Sequence, residues 1–99
     1  KPALPALISA LGDEATEVRQ AAAQVLGELG VDGGAAVVGA LVGALKDASP
    51  DVRQVAAQAL GAAGRQSQEA VSALEEALKD ETPWVRQQAA EALDRVRGS

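Results

Sequence analysis

The dipeptide Val-Arg occurs at Val18-Arg19, Val52-Arg53 and Val85-Arg86, spaced 34 and then 33 residues apart. A longer segment travels with it, since residues 6–13 (ALISALGD) return as 40–47 (ALVGALKD) and again as 73–80 (ALEEALKD). The chain is therefore about three copies of one unit. A unit of this size cannot bury its own apolar side. It does so by stacking on its neighbours into a quasi-one-dimensional array. The 99 residues form a single domain by length, with units at about 1–30, 31–64 and 65–99.

Each unit reads as two helices. In the middle unit Val38, Leu41, Val42 and Leu45 follow the i, i+3, i+4, i+7 pattern of one buried helical face, which predicts a helix A over about 35–46. Asp47-Ala48-Ser49-Pro50 makes the turn, with Ser49 as N-cap and Pro50 at N1, where its missing N–H costs nothing. Helix B follows over about 50–63, with Val52, Val55, Ala56, Ala59, Leu60 and Ala63 facing inward and Gly64 as a C′ stop. The third unit repeats the grammar through Ser67 and Thr82-Pro83. The first departs from it, because Ala15 and Thr16 stand where the middle unit has Ser49 and Pro50. Pro2 and Pro5 are tolerable only in a first helical turn. Residues 30–34 and 64–67 read as plain loops between units. The resulting fold class is all-α, a solenoid of three helical hairpins with six antiparallel helices.

Composition narrows the function. The apolar 47% is carried by Ala, Leu and Val, because the chain has one Trp and no Phe, Tyr, Met or Cys. Stability must then come from many modest contacts repeated along a stack. A net charge of −5, with Arg19, Arg53 and Arg86 spread one per unit, argues against a nucleic-acid groove. No apolar stretch is long enough to span a membrane. Without His or Cys, the usual proton shuttles, nucleophilic dyads and N/S metal sites are missing. Glu75-Glu76 and Asp80-Glu81 read as solvated surface. The glycines of 30–34 lack the following Lys and the preceding strand of a phosphate loop. No catalytic residue, metal or cofactor is expected, and the compartment stays open, with the cytoplasm slightly favoured.

The pattern resembles HEAT-like repeats of the type also found in phycobilisome lyase subunits. The matching residues are Ala-Leu-x-x-Ala-Leu-Lys-Asp at 40–47 and 73–80, Pro-x-Val-Arg-Gln at 50–54 and 83–87, and Ala-Ala-Gln-Ala-Leu-Gly at 56–61. The likeness covers essentially the whole chain and speaks to fold far more than to function. It implies that the second helices line a concave side.

On that side Gln20, Gln54 and Gln87 align across the units, as do Gln24, Gln58 and Glu91, four residues further along. Amides offer both donors and acceptors, which suits a peptide or a partner helix. A groove floored by Ala23, Ala57, Ala90, Gly27 and Gly61 is the expectation, and the bland alternative is that Gln is simply a soluble helix former. Trp84 has no counterpart, since Glu17 and Asp51 occupy its position. It reads either as a packing lid over the last turn or as an interface anchor.

Asp13, Asp47 and Asp80 each precede an Arg by six residues. That repetition favours a structural ladder, with the Asp accepting from the start of helix B and from an Arg of its own or an adjacent unit. In the last unit Glu75, Gln88 and Asp94 replace small or apolar residues, as a C-terminal cap requires, so the array is expected to end here and to begin further upstream. The open face of Leu4, Leu7, Ile8 and Leu11 is then free to form a weak homodimer. The leading functional expectation is a non-enzymatic scaffold for a protein or peptide. The alternatives are a bilin-lyase-like subunit assisting tetrapyrrole attachment and an engineered repeat binder.

Overall fold

A computed structural model describes residues 4–65 and 67–98 of the chain. The expectations that placed Pro2 in a first helical turn and Gln66 in the second connector lie outside the described residues. Among those described there are six α-helices and no strand: α1 (Leu4–Ala10), α2 (Thr16–Glu28), α3 (Gly34–Ala44), α4 (Pro50–Ala63), α5 (Gln68–Ala77) and α6 (Pro83–Val96). Helices pair in sequence as α1/α2, α3/α4 and α5/α6, and α4 lies between α2 and α6. The Cα positions span 32 × 27 × 16 Å. A 16 Å thickness is what two helix layers about 10 Å apart give. One layer holds α1, α3 and α5, the other α2, α4 and α6.

The middle hairpin shows how the sequence makes these elements. Pro50 opens α4 at its first position behind Ser49, which is extended at φ −88° and ψ 126°. The Ser49 side chain makes no capping bond, however. Its own backbone N–H is instead bonded to the Asp47 carboxylate at 2.9 Å. Ser67 does cap α5, accepting from the Ala70 N–H at 3.2 Å. The expected helix A ends two residues early, because Leu45 and Lys46 close into tighter backbone turns onto Val42 and Gly43.

Two glycine readings need correction. The connector expected as a plain loop holds a 3-10 helix, Gly30–Gly33, entered through Gly30 at φ 60° and left through Gly34 at φ 74°. Those left-handed values are where glycine is required. Gly64 closes α4 at φ −100°, so it is not a left-handed stop. It is small for another reason: a Cβ there would stand 2.5 Å from the Ala70 Cβ, where α5 crosses the end of α4.

The core runs between the layers. Leu26, Leu41, Leu60 and Leu74 are its largest fully buried side chains, with Val37, Val52, Val85 and Val96 beside them. All sit at the inward positions of their helices. Leu4, Leu7, Ile8 and Leu11 pack against the core from one end while remaining half-buried.

Candidate functional site

The ladder is the most ordered polar feature. Arg19 gives its Nε to Asp47 Oδ2 at 2.8 Å and its Nη2 to Asp47 Oδ1 at 3.2 Å, a two-pronged bond from the first unit to the second. Arg53 repeats it on Asp80, at 2.9 and 3.3 Å. The remaining guanidinium nitrogen of each Arg grips its own turn. Arg19 Nη1 donates to the Asp13 and Glu14 carbonyls, and Arg53 Nη1 to those of Asp47 and Ala48. Each Asp also accepts from the N–H two residues on, at Ala15, Ser49 and Thr82. That N–H belongs to the residue before helix B, one position earlier than the sequence suggests.

Burial alone would raise the Asp47 carboxyl. The hydrogen bonds from Arg19 and the Ser49 N–H, with the charges of Arg19 and Arg53, overcome it and hold the group below the ordinary carboxylate value. At Asp80 burial again acts upward, and the Thr82 N–H and the Arg53 guanidinium outweigh it. No buried side-chain N or O among the described residues lacks a partner. The Arg19–Asp47 and Arg53–Asp80 rungs therefore use their charges internally, as joints between units.

The helix-B face is different. Gln24, Gln58, Gln87 and Glu91 are exposed, while Gln20 and Gln54 are half-buried. The structure brings Gln24 and Gln58 to one groove of about 400 Å³, across α2 and α4. Its other walls include Glu28, Val55, Ala62 and Arg95. Gln87 and Glu91 are outside this groove and face each other at 3.5 Å on α6. Trp84 is 47% exposed in the first turn of α6. Helical spacing puts it on the same side of α6 as Gln87, Glu91 and Arg95.

Of the expected floor of small residues only Gly27 lines the groove, beside Ala59 and Ala62. Ala23, Ala57, Gly27 and Gly61 are buried. A Cβ on Gly27 would stand 2.6 Å from the Ala59 Cβ, and one on Gly61 3.3 Å from Ala92. They make the seams between neighbouring B helices, and only Ala90 is exposed. Arg95 was missed as a groove residue. Its signal was in the repeat, since it occupies the position of Glu28 and Ala62 and is the one cation there. No group of three or more Asp or Glu side chains that could hold a metal ion occurs among the described residues, nor any helix long and apolar enough to cross a membrane.

Two layers of paired helices, repeated three times and stitched turn to turn, define a helical-repeat solenoid. Profiles described as HEAT repeats match residues 38–99, and HEAT repeat residues 3–31. The chain belongs to the HEAT repeat family. A solved structure of human deoxyhypusine hydroxylase in complex with glycerol superposes with a TM-score of 0.83 at 31% identity over 96% of this chain. The chain spans about a third of that protein's length, 32%. No curated protein matches it significantly. HEAT repeats generally mediate protein interactions, and nothing in these likenesses is specific to phycobilisome lyases.

Proposed function

We propose that this chain is a non-enzymatic interaction scaffold that offers its helix-B face to a peptide or protein partner. The observation that carries the reading is the groove across α2 and α4, where the exposed amides of Gln24 and Gln58 stand beside Val55, Ala62 and the Arg95 guanidinium. Amides satisfy a peptide backbone in either direction, and Arg95 selects an acidic group at one end. The non-enzymatic half of the reading is supported by the residue inventory, which has no His and no Cys. Hydroxylation belongs to the human protein named above.

A photo-crosslinker placed at Gln58 is expected to capture a partner that the same group at Lys79, on the α5–α6 turn, does not. Gln24→Arg with Gln58→Arg should abolish that capture while leaving helicity unchanged. Equal capture from both positions would move the binding face elsewhere. A bilin-lyase-like role makes a different claim, a shift in visible absorbance when bilin is titrated into the protein. The weak homodimer through Leu4, Leu7, Ile8 and Leu11 belongs to the same proposal. Sedimentation equilibrium with Leu4→Glu and Leu7→Glu tests it.

A further inference from the structure

The layer of α1, α3 and α5 carries a depression that the scaffold reading does not use. It lies between α3 and α5 and encloses about 370 Å³. Val42, Leu45 and Ala73 are among its apolar residues, with Lys46 in the turn just past α3 on one side and Glu69 and Glu76 on the α5 wall. We propose that this groove docks an amphipathic helix of a partner protein, one whose apolar stripe is flanked on one side by two basic residues seven positions apart.

The charges decide the occupant. Asp80 also borders the groove, but Arg53 already holds it. The Glu69 and Glu76 side chains are exposed and make no ion pair or hydrogen bond within the described residues. They are seven residues apart on α5, so they stand on one side of it about 10 Å apart along its axis. A helix lying along the furrow with cations at i and i+7 meets both. Its acidic or polar flank then faces Lys46, which fixes its orientation. The net charge of −5 draws a cationic segment toward the chain as a whole.

The α3 wall favours a helix over a bulkier partner. Gly39 and Gly43 share an outer face of α3 with Val42, and a Cβ on either glycine would meet nothing within 4 Å. The ridge beside the groove is low, which lets a third helix axis come close.

The test uses the whole chain and two fluorescein-labelled helical peptides with the same Leu/Ala stripe. One carries Lys at the two flanking positions, the other Glu, and fluorescence anisotropy reads binding at low ionic strength. The Lys peptide is expected to bind roughly tenfold more tightly, with the gap narrowing as salt is added. Glu69→Lys with Glu76→Lys, both exposed positions, should reverse the preference without changing the circular dichroism. Gln24→Arg with Gln58→Arg should leave it intact, which separates this groove from the helix-B face. Equal binding of the two peptides, a preference that survives the charge reversal, or no binding of either at millimolar concentration overturns the proposal.

Discussion

The two helix layers use the same residue for opposite ends. In the B layer, Gly27 is where it is because the neighbouring helix leaves no room: a Cβ would sit 2.6 Å from Ala59. In the A layer, Gly39 and Gly43 have nothing within 4 Å of such an atom. Burial follows the same division. α4 buries eight of its residues, including Arg53, and α1 buries none completely. The B helices form a close-packed spine with ladder residues at their starts, and the A helices are laid against it with space between them. Both layers carry a groove, but only the B layer is packed so closely at its seams that a single added Cβ would collide.

The comparison breaks most readily at the spine. Leu60 is fully buried on α4, and Leu60→Ala is expected to cost about 2–4 kcal/mol by chemical denaturation. Leu7→Ala in half-buried α1 should cost clearly less. Equal losses would mean that the two layers contribute alike.

The ladder comes next. Asp47→Ala leaves the largely buried Arg19 without its two-pronged partner and frees the Ser49 N–H, which should cost about 1–3 kcal/mol. Asp13 is exposed and its carboxylate accepts only from its own turn, so Asp13→Ala should cost less than half as much. Acid sharpens the same point. Asp47 and Asp80 are held below their ordinary value, so their stabilisation is present above an unfolded pKa of about 3.9 and is lost as pH falls through the lower native values. Asp47→Asn with Asp80→Asn should flatten that acid limb of the stability curve.

The glycines offer a contrast of sign. Gly27→Ala should destabilise by about 1–3 kcal/mol through overpacking on α4. Gly39→Ala and Gly43→Ala should each raise stability by about 0.5–1 kcal/mol, since Ala is the better helix former and has room. Thermal melts of the three single variants suffice to check this. The smallest effect belongs to the Arg97–Glu75 pair, which is 2.8 Å long but about half exposed on both sides. Arg97→Ala should change stability by less than about 0.5 kcal/mol.

Helix B of the middle unit, Pro50–Ala63, was legible because a proline opens it and a periodic apolar face runs through it. The repeat also showed that Asp and Arg belong together. It could not show that the partner lies in the next unit, since own-unit and adjacent-unit pairings share one sequence signature. The glycines misled for a related reason. Gly64 and Gly27 are small because of atoms far away in sequence, Ala70 and Ala59, and a chain read locally assigns them to turns or to open floor. Gln24 and Gln58 were readable as exposed from helical phase. Their grouping with Arg95 depends on how far α6 leans over Gly61, a packing distance that no spacing rule contains.

The position of the ladder has a mechanical consequence. Arg19 and Arg53 tie successive units by hydrogen bonds at the A–B turns, along one long edge of the slab, while toward the opposite edge the units meet through apolar seams such as Gly27 against Ala59. A strip clamped along one edge does not stretch evenly. Load applied along the array is borne first by the stitched edge, and the units fan apart about it like pages about a binding. Bending about the stitched edge is then expected to cost less than stretching along it, because bending shifts non-directional apolar seams and leaves the turn-to-turn hydrogen bonds intact.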